Sequence, residues 1–260
     1  MSAALTQPLA GRRIVVTRPA GQAGALMARL AHAGAVPIGL PVMDIVPADS
    51  AVLRQAAEAV RATDRVIFVS PTAIDLLWPY LIDRLPARVA LTTVGAASAK
   101  RLSQRCGRPV LHPSERSDAE ALAALPELAA PLAGQHMVLV KGSGGRSQWL
   151  ANVLTERGAT VQTLDIYLRQ PAQPDWHSFD AAVAGPGLAA LVLTSTEAVD
   201  WLFMLAGESR RATLQSLLYV VPHPRIADRL AQCGAPHCLI TAADNDATVA
   251  ALCEWFETHP

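Results

Sequence analysis

Apolar residues along this chain fall into two alternating patterns. Short runs such as Ile14-Val-Val16 and Val66-Ile-Phe-Val69 read as buried strands, and stretches with apolar positions three or four apart read as helices. Arg12-Arg-Ile-Val-Val-Thr-Arg-Pro19 is a strand that stops at Pro19, a residue suited to a first helical turn. Ala23, Leu26, Leu30 and Ala33 then mark a helix face, and Gly34 ends it. The same text returns later: Val138-Leu-Val140 is a strand, Leu150, Val153 and Leu154 mark a helix, and Gly158 closes it. The offset is constant at 124 positions for Ile14 and Val138, Gly34 and Gly158, and Pro47 and Pro171.

The copying continues. Arg65-Val-Ile-Phe-Val-Ser70 matches Ala190-Leu-Val-Leu-Thr-Ser195, and each strand ends in a hydroxyl able to cap the next helix. Those helices also match, Thr72–Trp78 with Glu197–Phe203. Leu91–Gly95 leads to a helix closed by Cys106-Gly-Arg-Pro109, and Leu218–Pro222 to one closed by Cys233-Gly-Ala-Pro236. Ser117-Asp-Ala-Glu and Asn245-Asp-Ala-Thr both read as N-caps, the first as a capping box. Two halves that repeat strand and helix predict an α/β protein of two domains, each a parallel sheet covered by helices. Ligands of such sheets gather at the carboxyl ends of the strands, here Thr17, Arg18, Ser70, Gly95, Lys141, Ser195 and His223. The two sheets are expected to face a shared cleft. The extended, Pro-bounded stretches Val36–Pro47 and Thr160–Pro171 are the expected connections.

The strongest chemical signal is Lys141-Gly-Ser-Gly-Gly-Arg146, between an apolar strand and a helical pattern. Gly142 and Gly144 allow close approach to the backbone, the following helix start presents amides, and Lys141 and Arg146 add charge. The stretch suits an anionic ligand; a tight turn with solvated basic flanks is the plain alternative. It is not a Walker loop, because Arg146 follows Gly145, and it breaks the dinucleotide fingerprint at Ser147. Asp165 lies near the distance of a ribose-binding acid, which leaves a nucleotide reading open.

Composition narrows the field. The 260 residues are 51% hydrophobic and 17% charged with zero net charge, so a large core is expected and binding to nucleic acid through global charge is not. Mean hydropathy is +0.26, yet no apolar run approaches the ~18 residues of a membrane span. The N-terminus has no basic start followed by an apolar run, so no signal peptide is expected. Cys106, Cys233, Cys238 and Cys253 have no metal-site spacing and read as free thiols of a cytoplasmic protein. Asp244 and Asp246 read as a cap and a solvated loop residue, and the Met and Trp positions as core or boundary packing.

Several pieces in this order resemble the uroporphyrinogen-III synthase family. They are Ile14-Val-Val-Thr-Arg-Pro19, Val66-Ile-Phe-Val-Ser-Pro71, Thr93-Val-Gly-Ala-Ala-Ser98, Leu139-Val-Lys-Gly-Ser-Gly-Gly-Arg146, Gly158–Tyr167, Val192-Leu-Thr-Ser195 and Val220-Val-Pro-His-Pro-Arg-Ile-Ala227. The resemblance implies two flavodoxin-like domains joined by a two-stranded linker, with the active-site cleft between them. Residues 1–38 and 171–260 would form one domain, 45–162 the other, and 39–44 and 163–170 the linkers. The internal repeat by itself is equally compatible with tandem halves.

The implied reaction converts hydroxymethylbilane, a linear tetrapyrrole with eight carboxylates, to uroporphyrinogen III, losing water and inverting the last pyrrole. No cofactor or metal takes part. The resemblance makes Tyr167 the proton donor to the departing hydroxyl, against a plain reading as a packed aromatic. It makes Ser98 a contact for a substrate carboxylate, against a plain cap. Ser70 and Ser195 carry the same ambiguity. Arg18, Arg146 and Arg225 are candidate carboxylate forks, and His223 stands between two prolines at a strand end. Two positions depart from the family: Lys141 stands where Arg is usual, and Pro222-His-Pro224 replaces a glycine-containing turn. The expected setting is a monomer coupled to the upstream hydroxymethylbilane synthase, with no nucleic acid and no membrane. The rivals are a non-catalytic two-domain binder of anionic small molecules and a dinucleotide-dependent enzyme.

Overall fold

The computed structural model describes residues 8–82, 84–116, 118–143, 147–185 and 188–259. The chain forms two compact units, Met1–Asp44 with Gln170–Pro260, and Ile45–Arg169.

In the first unit, β1 (Arg13–Val16) leads into α1 (Ala20–His32) and β2 (Val36–Gly39). The chain then enters the second unit through β3 (Met43–Pro47), α2 (Ser50–Ala62), β4 (Arg65–Phe68), α3 (Pro71–Leu81), β5 (Ala90–Thr93) and α4 (Ala96–Cys106). Two short helices follow, α5 (Ala119–Ala123) and α6 (Pro126–Ala129), then β6 (His136–Gly142), α7 (Ser147–Glu156) and β7 (Thr160–Pro171). The first unit is completed by α8 (Trp176–Ala184), β8 (Leu188–Val192), α9 (Thr196–Ser216), β9 (Leu218–Val221), α10 (Pro224–Gln232), β10 (Cys238–Ile240) and α11 (Asn245–Thr258). The span of α9 is broken at Gly207, whose φ of 66° is not helical.

The first sheet has the order β10-β9-β8-β1-β2 and the second β3-β7-β6-β4-β5. Registers run parallel across β10, β9, β8, β1 and β2, and across β7, β6, β4 and β5. The continuous apolar runs are explained by burial on both faces. In the second unit, Val66, Phe68, Val138 and Val140 pack with Leu53, Ile74 and Leu77, while Ile67, Met137 and Leu139 between them pack with Leu122, Leu150 and Leu154. In the first unit, Ile14, Val16, Val192 and Val220 meet Leu26, Leu30, Leu252 and Phe256. Val15, Leu191, Tyr219 and Val221, pointing the other way, are equally buried.

The repeat carries through the helix ends: Gly34, Gly107, Gly158 and Gly234, one after each repeated helix, all have positive φ. Three local expectations need correction. The cap of α5 is Asp118, which accepts from Ala121 N, while Ser117 lies outside the described residues; at α11 the cap is Asp244, as read, accepting from Ala247 N, and Asn245 is the first helical residue and not a cap. Asp246 is in the first turn of α11 and pairs with Arg29 at 2.8 Å, so it is not a loop residue. Trp149 and Met204 are exposed, at 44% and 58%, against the packing expected of them. Thr160–Pro171 is a single twelve-residue strand, most of it inside the second sheet, whereas Val36–Pro47 is two strands belonging to different sheets.

Candidate active site

The carboxyl ends of the strands of the second unit bring Ser70, Lys141, Gly142 and Tyr167 together. Ser70 follows β4 with extended backbone and caps α3, its Oγ accepting from Ala73 N at 3.1 Å. The same Oγ lies 3.0 Å from Tyr167 Oη. Tyr167 reaches it because β7 carries one extra residue: Lys141 is opposite Asp165, but Gly142 is opposite Tyr167. An extra residue breaks the alternation of a strand and re-aims the side chains beyond it. Ile166 and Tyr167 accordingly both enter the core beside α3.

The tyrosine ring rests on Gly142. A Cβ there would lie 2.4 Å from Tyr167 Cε2 and 2.5 Å from Cζ, so the backbone of β6 serves as the floor under the ring. The carbonyl of Tyr167 accepts from Ser143 N at 2.8 Å, which holds the other side of the residue. The ring is thus fixed by packing, with its hydroxyl at the start of α3.

Lys141 is almost buried and its Nζ lies 2.6 Å from Asp165 Oδ1; the carboxylate is half-exposed. Asp165 therefore balances the lysine charge, a role the sequence spacing did not reveal. Its signal was present only once β6 and β7 were in register. The Ser143 hydroxyl, in the same turn, is buried with no hydrogen-bond partner among the described residues. Gly144 and Arg146 lie outside the described residues.

On the neighbouring strand, Gly95 begins α4 with no side chain bonding to the first-turn amides, and Ser98 is buried in that first turn. Thr93 Oγ1 donates to the Gly95 carbonyl at 3.1 Å and fixes the turn. A helix start without a side-chain cap is a ready acceptor site for a carboxylate.

In the first unit the predicted residues hold the fold together in visible ways. Thr17 is buried and its hydroxyl donates to the Val192 carbonyl at 2.8 Å. Arg18 donates to Asn245 Oδ1 at 2.7 Å, and burial pushes its guanidinium down from the ordinary arginine value. Arginine remains cationic under such a shift. Ser195 caps α9, accepting from Ala198 N at 3.1 Å. His223 caps α10 through Nδ1, which accepts from Arg225 N at 3.1 Å, so the imidazole has its proton on the other nitrogen. The Arg225 side chain is exposed on the first turn of α10. A groove of about 510 Å³ lined by Arg54, Arg61, Tyr80 and Arg84 includes none of these residues.

Among the described residues, no helix is long and apolar enough to cross a membrane. The four cysteines are free and partly buried.

A profile described as uroporphyrinogen-III synthase HemD matches residues 24–250. A uroporphyrinogen-III synthase of Escherichia coli strain K12 is 29% identical over 254 residues, covering 92% of this chain and 99% of that protein. The solved mutant uroporphyrinogen III synthase of Thermus thermophilus superposes with a TM-score of 0.64 at 17% identity, covering 96% of this chain and all (100%) of that one. The uroporphyrinogen-III synthetase of Helicobacter pylori 26695 does so with a TM-score of 0.54 at 16% identity, covering 96% and 100%. At these identities the two structures speak for the α/β fold, while the profile spans most of the chain, and on that ground this chain belongs to the uroporphyrinogen-III synthase family.

Proposed function

We propose that this protein is a lyase of tetrapyrrole biosynthesis that closes hydroxymethylbilane to uroporphyrinogen III, with loss of water and inversion of the last pyrrole. The observation that carries the reading is the end-to-end match to a synthase, 92% of this chain against 99% of the relative. The geometry of Tyr167 supports the chemistry.

The substrate ionises readily, because a pyrrole nitrogen pushes electrons toward the hydroxymethyl carbon. The C–O bond breaks, the departing oxygen takes a proton and leaves as water, and an azafulvenium cation remains, which gives up a proton when the ring closes. Unguided, that cation closes to isomer I. The enzyme must bring the substituted carbon of the last ring to the azafulvene first, through a spiro intermediate that reopens and closes inverted. Most of the acceleration is positional, where effective molarity supplies up to about 7–11 kcal/mol. Tyr167 gives the proton to the leaving hydroxyl, a step typically worth about 10²- to 10⁴-fold. Its ring is held by Gly142 and its phenol stands at the start of α3, where developing phenolate charge is favoured.

The uncapped first turn of α4, at Gly95 and Ser98, receives a substrate carboxylate. Arg225, exposed, and Arg146 supply further charge, together with the guanidinium of Arg18. Lys141 acts on the substrate jointly with Asp165, as a pair and not as a lone cation. Ser195, His223 and Thr17 place the backbone at the corresponding edge of the first sheet. We read both sheets as flavodoxin-like. In the first, the strands stand in the order second, first, third, fourth, fifth of that unit, as in doubly wound folds. The domain bodies are then 1–38 with 171–260, and 45–162, the chain crossing at 39–44 and 163–170. The protein works as a cytoplasmic monomer that receives its unstable substrate from the upstream synthase, and needs no cofactor.

The test is the product isomer. Hydroxymethylbilane is generated in place by its synthase, this protein is added, and the oxidised products are separated by chromatography. Mostly isomer III is expected. Isomer I alone, at the spontaneous rate, would leave a binder of anionic tetrapyrroles as the reading.

A further inference from the structure

We infer that Ser70 is a positioning residue that turns the Tyr167 proton outward and steadies the phenolate left behind. The inference rests on the reading of Tyr167 as proton donor.

A serine hydroxyl has one hydrogen and two lone pairs. One lone pair of Ser70 Oγ is taken by Ala73 N–H at 3.1 Å, which fixes the oxygen at the first turn of α3. Tyr167 Oη is the other near neighbour, at 3.0 Å. Two proton arrangements fit that distance. If Tyr167 donates to Ser70, its proton points at the helix, and the serine hydrogen must find another acceptor. If Ser70 donates to Tyr167, the serine hydrogen has its acceptor, and the phenolic proton is directed away from Ser70, free for a ligand oxygen. The ring itself cannot turn to choose, because Gly142 lies directly beneath it and Ser143 N holds the Tyr167 carbonyl. The hydroxyl torsion is the remaining freedom, and Ser70 sets it.

The second arrangement also improves as the reaction proceeds. Once the phenol has given up its proton, the bond from Ser70 becomes a hydrogen bond to an anion, shorter and stronger than the neutral one. The partial positive charge of the α3 N-terminus acts in the same direction. An interaction stronger in the transition state than in the ground state raises kcat with little change in KM. The cap and the catalytic contact therefore use different parts of one hydroxyl: a lone pair for the helix, the hydrogen for the tyrosine.

Substitutions separate the two uses. Ser70→Thr keeps both. Ser70→Asp keeps the cap, since aspartate is an equally good N-cap, but as a carboxylate it accepts only and draws the Tyr167 proton inward. Ser70→Ala loses both. The readouts are kcat and KM for isomer III formation, with thermal unfolding run in parallel. Expected are a kcat near that of the unaltered protein for Ser70→Thr, and a fall of about tenfold or more for Ser70→Asp with an unchanged unfolding midpoint. In the Tyr167→Phe background, Ser70→Ala should add no further loss of kcat, because the residue acts through the phenol. Equal factors in both backgrounds, or full kcat in Ser70→Asp, would overturn the inference and leave Tyr167 as donor. A Tyr167→Phe variant with undiminished kcat would instead remove the donor reading on which the inference rests.

Discussion

In the unit built from Ile45–Arg169, Ser70 caps α3; in the other unit Ser195 caps α9 with the same bond, 3.1 Å to the amide three residues on, and nearly the same backbone angles. The sheets correspond too: β6 and β7 stand to β4 and β5 as β1 and β2 stand to β8 and β9. The two copies differ in the group that meets the serine. Tyr167 lies against Ser70, whereas the residue 124 positions earlier in the sequence, Met43, has no hydroxyl and belongs to β3 of the second sheet, not to the strand that corresponds to β7. Gly142, the floor under the tyrosine, corresponds at the same offset to Arg18, whose side chain turns to Asn245. The scaffold supplies a capped strand end twice. In one copy a phenol meets the serine, brought there by a glycine and an extra residue in β7.

The sharpest way to break that contrast is to fill the floor. Gly142→Ala sets a methyl 2.4 Å from the tyrosine ring, which must move. A hundredfold or greater loss of kcat is expected, above the roughly tenfold loss from deleting the phenol alone, with overpacking costing about 1–3 kcal/mol of stability. Gly39→Ala, in a strand of the other sheet, meets Met27 Cε and Sδ at 3.8 and 3.9 Å, an ordinary contact. It should change neither rate nor midpoint. Initial rates and thermal unfolding decide; equal behaviour of the two variants would deny the Tyr167 ring its seat on Gly142.

How much of this was legible beforehand depends on the range of the signal. The strand–helix repeat, the glycine helix ends and the serine caps are local patterns, and Ser70, Ser195 and Gly34 could be read one segment at a time. The extra residue in β7 was not readable, because a bulge is defined only against the partner strand. Without it, Asp165 and Tyr167 share a face and Ile166 opposes them. The Lys141–Asp165 pair and the Arg18–Asn245 bond join positions 24 and 227 residues apart, and no spacing rule reaches across a sheet register or a full unit. The cap of α5 falls one residue past Ser117, and at α11 both Asp244 and Asn245 read as caps, because serine and asparagine are nearly as good caps as aspartate.

A second contrast sets phenol against phenol. Tyr219 in β9 is fully buried and donates to the Leu214 carbonyl at 2.7 Å. Tyr219→Phe leaves that acceptor unpaired, a loss of about 1–3 kcal/mol, with kcat unchanged. Tyr167→Phe should do the reverse: a tenfold or greater fall in kcat, with a loss of only about 1 kcal/mol. Burial also pushes the Tyr219 phenol above the ordinary tyrosine value, with Cys238 and Cys233 adding to the shift. The folded state then keeps its proton where the unfolded chain has lost it. This contribution to stability is complete below pH ~10 and declines as pH rises beyond it. Denaturant unfolding between pH 9 and 11, on an approximate scale set by the free phenol, should show a declining stability that Tyr219→Phe flattens. An unaltered slope in the variant would assign the alkaline loss to other groups.

The smallest effect tests whether the two copies of the scaffold are held alike. Asp75 on α3 pairs with Arg101 and, at 2.5 Å, with Arg105 on α4; Asp200 on α9 pairs with Arg229 on α10 at 2.6 Å. Asp75 and Asp200 stand 125 positions apart, as Ser70 and Ser195 do, so each unit ties its serine-capped helix to the next helix at an equivalent place. The carboxylate of Asp75 is one-third exposed and serves two guanidinium groups, whereas Asp200 is half-exposed and serves one. Exposed pairs contribute little, because water screens them and long side chains lose freedom in forming them. Asp75→Asn should lower the unfolding midpoint slightly and Asp200→Asn less, and added salt should shrink both differences as screening shortens the reach of the charges. Activity should follow neither substitution, since both pairs lie away from the strand ends. A fall in kcat for Asp75→Asn alone would mean that the start of α3, and with it Ser70, depends on this tie for its placement against Tyr167.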